Sequence, residues 1–249
     1  MMHDPRRSVQ IRDEAFSCYT RPMRPNRGFF VTFEGLDGCG KTTQVEALSA
    51  YLQASGKDFI ATRQPGGTEF GDRIRALLLD SRNTGIAPLA ELALMFSDRA
   101  QFVRQIILPS LAAGKIVLCD RFTDSSEAYQ GGGRELGSEV VLSLHRLLCG
   151  DLQPDLTFLL LGDPGVSLAR ARERNRSQAG NDENRFEGEH SGFHDRVLRA
   201  YQQIAERDRA RVVKIDASAS LDAVRENVTR VFQDRFAGHA RCGGGTSRC

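Results

Sequence analysis

Five short apolar runs alternate along the chain with longer stretches of helical period. Phe29-Phe30-Val31-Thr32-Phe33 is a β-branched and aromatic run of strand length, followed by a helical pattern over 44–52. Residues 58–62 (DFIAT) form a second run, then a turn-rich RQPGGT and a helical pattern over 70–79. Residues 89–111 carry the period of one long helix, kinked or ended at Pro109. Ile116-Val117-Leu118-Cys119 and residues 156–161 (LTFLLL) are apolar throughout, as strands buried on both faces are. Helical patterns at 138–148, from Asp163-Pro164 onward, at 193–207 and at 221–236, with a last strand at 212–215, complete the alternation. Strands alternating with helices predict a doubly wound α/β domain, a five-stranded parallel sheet between helices. In such sheets ligands sit beyond the carboxyl ends of the strands. Four segments leave those ends: EGLDGCGKTT, RQPGGT, DRF and the Asp163-Pro164 corner.

The first of these is the sharpest. Gly35-Leu36-Asp37-Gly38-Cys39-Gly40-Lys41-Thr42-Thr43 follows a strand and opens a helix, the context in which a G-x-x-x-x-G-K-[ST] match binds a nucleoside triphosphate. Glycines let successive N–H groups curl around an anion, and the helix start adds partial positive charge. Lys41 places a cation on the outer phosphates, and Thr42 offers a hydroxyl to Mg²⁺. Lysine is scarce in this chain (Lys41, Lys57, Lys115 and Lys214), which makes a chance match improbable.

Composition narrows the class. A length of 249 residues suits one α/β domain with extra chain, and a net charge of +2 argues for neither a nucleic-acid nor a membrane surface. Six scattered cysteines form no C-x-x-C pair, no apolar run reaches membrane-spanning length, and no secretory apolar core stands near the start. A cytoplasmic location is the expectation. Residues 1–27 are arginine-rich and aperiodic, an expected disordered extension. A transit peptide would suit the arginines, but Asp4, Asp13 and Glu14 count against it, and initiation near Met23 fits equally. The domain is expected over 28–237, with a flexible tail over 238–249.

Other strand ends add candidates. Asp120 closes a buried strand, where a second acidic group near Mg²⁺ would lie; it could instead cap a following helix, but the long polar stretch that DR opens favours the site. Behind it, DRFTDSSEAYQGGGR offers Ser125, Ser126, Tyr129 and Gln130 to a polar ligand and an arginine to its phosphate. Phe96 and Arg99 share a helix face and could stack and read a base, but pattern alone favours Phe96 as core and Arg99 as solvated. Arg63 is equally ambiguous. Arg170, Arg172, Arg174, Arg176 and Arg185 bracket a polar loop over 175–192. The phosphate loop carries no basic residue at positions 36–39. A mobile, arginine-bearing lid would supply the missing cation and exclude water.

Together these motifs resemble the thymidylate kinases, the nucleoside monophosphate kinases that phosphorylate dTMP. FEGLDGCGKTT, TRQPGGT, LMFSDRAQ, DRFTDSSEAYQGGGR, PDLTFLL and NRFE carry the resemblance, which runs over 29–236. It implies the three-layer phosphate-loop kinase fold with a lid, ATP and dTMP as substrates, Mg²⁺, and a homodimer. It also implies roles. Gly35 to Thr43 would bind ATP, Thr42 and Asp120 the metal, and Asp37 would lie near the acceptor's sugar and phosphate. Arg63 and Arg121 would hold the dTMP phosphate, Phe96 would stack on thymine and Arg99 read its edge. Ser125, Ser126, Tyr129 and Gln130 would complete the acceptor pocket, with Tyr129 disfavouring a ribose 2′-hydroxyl. Arg185 would be the catalytic lid arginine beside Lys41 and Arg121, with Glu187 next to it. Two departures stand out: the family's R-E-P-G-G-T has Gln64 for the glutamate, and its D-R-x-E begins with Asn184.

Overall fold

The computed structural model describes residues 27–150, 152–177 and 185–243. The central sheet contains β1 (Phe30–Glu34), β2 (Phe59–Arg63), β3 (Ile116–Asp120), β4 (Leu156–Leu161) and β5 (Val212–Asp216). All pairings are parallel, in the order β2-β3-β1-β4-β5. From β1 the chain crosses to the edge strand β2, returns inward to β3 and then crosses β1 to β4 and β5, so the crevice of the switch point opens beside β1. Strand pleat assigns the layers. Val31 and Phe33 pack with Val45 and Leu48 of α1 (Lys41–Ala54) and with Val224 and Phe232 further along the chain, whereas Phe30 joins the opposite core.

On that opposite face, α2 (Glu69–Leu79) precedes the long helix α3 (Pro88–Phe102), which continues as a π-helical turn (Val103–Ile107) and a final α segment (Leu108–Ala112). Pro109 neither ends nor sharply breaks this helix. The wide turn directly before it relieves the clash and lost N–H bond that proline imposes on an α-helix. The DRF segment, expected only as a polar stretch, is a buried α4 (Thr123–Ser126) running into a π-helix (Glu127–Gly133). Next come α5 (Ser138–Cys149), α6 (Pro164–Ser177), α7 (Ser191–Arg207) and α8 (Leu221–Gly243). Helix α7 starts before Phe193 because the His190 side chain accepts the Phe193 N–H.

Helix α8 runs past its expected end at 236 and includes residues 238–243. The His239 ring lies 5.0 Å from that of Phe29, and its Nε2 is 3.1 Å from the Arg27 carbonyl. Arg27 itself pairs with Asp155, so the domain's edge is tied down at both ends. The expected disorder of 1–26, the end of the tail at 244–249 and the lid centre at 178–184 lie outside the described residues.

Candidate active site

The loop between β1 and α1 turns on Gly35, Gly38 and Gly40, with φ of +136°, +79° and +98°. A Cβ at Gly38 would lie 1.9 Å from the Ser167 carbonyl, so the loop sits hard against α6. Helix α1 has no side-chain cap, leaving its first amides for an anion. Lys41 folds over this cradle, its Nζ donating to the carbonyls of Leu36 (2.8 Å) and Gly35 (3.2 Å). Thr42 Oγ1 donates to Asp120 Oδ2 at 2.8 Å. This puts two hard oxygens side by side at the loop's end, a donor set that fits Mg²⁺, which takes few protein oxygens beside phosphate and water. Among the described residues no cluster of three or more His, Cys, Asp or Glu forms a separate metal site.

Arg121 stands between this loop and a concave pocket of about 680 Å³, a space that includes the solvent of its open mouth. Its backbone is left-handed (φ 70°), and its guanidinium donates to Gly35 O, Ser125 Oγ, Tyr201 Oη and Asp37 Oδ1. The turn is held from below by Glu34, whose carboxylate accepts from Phe122 N (2.7 Å), Ser125 Oγ (2.5 Å) and Tyr201 Oη (2.9 Å). Burial, with Asp124 nearby, raises the Glu34 pKa against these bonds. Asp37 is the opposite case. Burial opposes its ionisation, but Arg121 and Lys41 outweigh it and hold the carboxyl far below the usual range. Tyr129 Oη donates to Asp37 Oδ2 at 3.0 Å, closing the cluster.

The far end of the pocket is a base-sized slot. Buried Arg99 donates through Nε to Gln64 Oε1 (2.6 Å) and through Nη2 to Ser126 Oγ (2.9 Å) and the Phe122 carbonyl (3.2 Å). Across from it, Gln130 Nε2 donates to Glu91 Oε1 at 2.9 Å, which leaves the Gln130 amide oxygen as the acceptor for a ligand. Glu91 is fully buried and also binds Arg134 and Arg185. Arg174 of α6 and Glu187, 3.5 Å apart, close the pocket from the lid side.

The Thymidylate kinase family model matches residues 33–228. A thymidylate kinase of Desulfovibrio desulfuricans is 53% identical over 191 residues, covering 76% of this chain and 88% of the relative. That of Pelobacter propionicus is 44% identical over 210 residues, covering 84% and 96%. The crystal structure of thymidylate kinase from Ehrlichia chaffeensis superposes with a TM-score of 0.66 at 32% identity, over 83% of this chain and 99% of that one. The chain belongs to the thymidylate kinase family. Its sheet order and flanking helices are the phosphate-loop kinase architecture that the motifs imply.

Set against the thymidylate kinase roles expected from sequence, the structure brings Lys41, Asp37, Arg121, Ser125, Ser126, Tyr129, Gln130 and Arg99 to one pocket and its adjoining loop. Three expectations need correction. Phe96 is fully buried in the core with Leu92 and Phe102, its ring 4.6 Å beneath the Arg99 guanidinium. The apolar side chain of α3 that lines the pocket is Met95, one turn before Arg99. Arg63 ends the edge strand β2 on its exposed face, the side it shares with Ala61, and is not among the pocket-lining residues. Arg75 of α2 lines the pocket instead, anchored to the Pro65 carbonyl. Arg185 does not approach the phosphate loop. Its Nη1 pairs with Glu91 at 2.8 Å, its Nε donates to the Leu78 carbonyl and its guanidinium stacks on Phe186. Among the described lid arginines, Arg174 is the one lining the pocket. Sequence reasoning also missed Glu34 and Tyr201, whose shared bonds to Ser125 become visible only when β1, α4 and α7 meet.

Proposed function

We propose that this chain transfers the γ-phosphoryl group of ATP to dTMP, giving ADP and dTDP, a step toward dTTP. One arrangement carries the reading: a single pocket has Arg121, shared with the phosphate loop, at one end, and a donor–acceptor pair at the other. Arg99 donates toward a carbonyl and Gln130 accepts from an N–H, the complement of the O4 and N3–H of thymine. Cytosine and adenine put an amino donor where thymine puts O4.

In this reading the backbone amides of Gly35–Thr43 hold the triphosphate, with Lys41 leaving the Leu36 carbonyl for the outer phosphates. Arg121 holds the dTMP phosphate, Asp37 orients Arg121, and Tyr129 occupies the space a ribose 2′-hydroxyl would need. Met95 provides the apolar platform for the base. A phosphate oxygen of dTMP attacks the γ-phosphorus in line, and Lys41, Arg121 and Arg174 stabilise the spread charge. Thr42 and Asp120 would hold Mg²⁺, which supplies charge neutralisation and orientation of the outer phosphates. Lid closure keeps water from acting as the acceptor.

A coupled ADP assay with dTMP, dUMP, dGMP, AMP and UMP tests the reading. dTMP should give the highest kcat/KM; preference for any other acceptor, or ATP binding without turnover, overturns it. We assign a cytoplasmic location, supported by the free thiols of Cys39, Cys119 and Cys149; no helix among the described residues is long and apolar enough to cross a membrane. Exposed Phe70 and Leu77, seven residues apart on α2, with Leu89 opening α3, support a homodimer through this face. Sedimentation at micromolar concentration should give twice the chain mass, and a monomer would exclude it.

A further inference from the structure

Nη1 of Arg121 has more acceptors than hydrogens. The Gly35 carbonyl (3.0 Å), Ser125 Oγ (3.0 Å) and Tyr201 Oη (3.2 Å) all lie within hydrogen-bond reach of this one nitrogen, which carries two hydrogens. The two hydroxyls have a second attachment. Ser125 Oγ and Tyr201 Oη both donate to Oε2 of Glu34, at 2.5 and 2.9 Å, and lie 2.9 Å from each other. A hydroxyl has one hydrogen and two lone pairs, so giving the hydrogen to Glu34 leaves the lone pairs for Arg121. Burial, with Glu34 beside it, pushes the Tyr201 phenol well above its ordinary value, so Oη keeps the proton it donates. Glu34 is itself fixed through Oε1 by the Phe122 N–H. Tyr201 is buried and is not among the residues lining the pocket, so it can act on a ligand only through Arg121 and Ser125, which do line it.

We propose that Tyr201 is a positioning residue for the acceptor phosphate. With Ser125 it forms a hydroxyl bridge from the Glu34 carboxylate to Arg121, which fixes the guanidinium before dTMP arrives. The surplus of acceptors gives the bridge a second property. When the phosphate takes a hydrogen of Nη1, Tyr201 Oη keeps Glu34 and Ser125 as partners, so no buried polar group is stranded. Two elements far apart in sequence hold the arginine in this way: β1, which carries Glu34, and α7, which carries Tyr201. The ring of Tyr201 has a separate role. It packs edge-on against Tyr129, with 6.4 Å between centroids, in the core that also holds Val197 and Ile204. Phenylalanine would keep that packing and remove only the bridge. The inference rests on dTMP as acceptor and adds what fixes the arginine that holds its phosphate.

Equilibrium binding of dTMP and of thymidine, which has the base and sugar without the phosphate, to wild type and Tyr201→Phe tests it. The dTMP Kd should rise about tenfold, as loss of a hydrogen bond to a charged group does, while the thymidine Kd stays within about twofold of wild type. If Tyr201 serves only the core, the phenylalanine ring maintains the pocket and neither Kd moves. If the lost hydroxyl loosens the pocket as a whole, both rise together. Either result overturns the proposal. Glu34→Gln gives a second reading from outside the pocket lining. Its amide keeps an oxygen for the Phe122 N–H and faces both hydroxyls with an NH₂, so it should weaken dTMP and spare thymidine in the same way. If Tyr201→Phe does not fold, an unchanged dTMP Kd in Glu34→Gln overturns the proposal by itself. A wild type that binds neither ligand overturns the underlying reading instead, so the two failures are told apart.

Discussion

Single residues separate cleanly into those that strand ends announce and those that a helix face conceals. Lys41, Asp120 and Arg121 follow apolar strands, so their position at the sheet's carboxyl edge is legible from the sequence. Phe96 and Met95 are adjacent on α3, and the spacing to Arg99 fits a shared face for either. Only the packing of α3 against Phe30 and Phe122 sends Phe96 into the core and Met95 to the pocket. The lid arginines pose the same problem with a sharper consequence. Arg174 lines the pocket beside Glu187, whereas Arg185 is clamped between Glu91 and the Leu78 carbonyl. Arg174→Ala should therefore lower kcat by about 10²-fold or more while dTMP binding falls little, as loss of a transition-state charge contact does. Arg185→Ala should act mainly on the dTMP KM, because it loosens the Glu91 that orients Gln130. Pre-steady-state turnover beside equilibrium dTMP binding distinguishes the two patterns, and a kcat loss in Arg185→Ala as deep as that in Arg174→Ala would return the catalytic role to Arg185.

At the scale of elements, period and length sufficed for all five strands and most helices, since buried parallel strands read as apolar runs and amphipathic helices keep their stripe. The segment 123–133 escaped because its polar residues are buried and its glycines are helical. Thr123, Asp124, Ser125, Ser126, Glu127 and Gln130 are hidden from solvent by partners on β1, α3 and α7 that no local pattern contains. Two of the segment's three glycines have a steric reason. A Cβ at Gly132 would lie 2.6 Å from that of Ala200, and one at Gly133 would lie 2.5 Å from the Phe193 ring. The π-helix and α7 touch backbone to side chain along this stretch, and that contact carries Tyr201 to Glu34 and Arg121. Gly132→Ala should cost about 1–3 kcal/mol by overpacking. It should also raise the dTMP KM, because α7 must retreat and take Tyr201 with it. A urea midpoint equal to wild type would show that the contact yields without strain.

For the whole molecule, stability and function draw on buried carboxylates of opposite character. Asp37 has its pKa held down by Arg121 and Lys41, so its contribution is present above the unfolded value and lost only in strong acid. Asp98 is pushed the other way. Burial raises its carboxyl to about 6, although the Gly66 N–H donates to it at 3.1 Å and Arg99 lies next in the chain. Its Oδ1 has no partner among the described residues. The unfolded chain ionises Asp98 near 3.8 while the folded one keeps its proton to about 6, so folding loses stability as pH rises through that window. The charge is tolerated because Asp98 pins Gly66, and with it the Gln64-Pro65 corner that shapes the base slot. Asp98→Asn keeps an acceptor for Gly66 and removes the ionisation. Relative to wild type it should gain stability on going from pH 5 to pH 8, read as the difference in urea midpoints at the two values. If that difference is the same at both, Asp98 ionises as freely in the fold as outside it, and burial does not hold its proton.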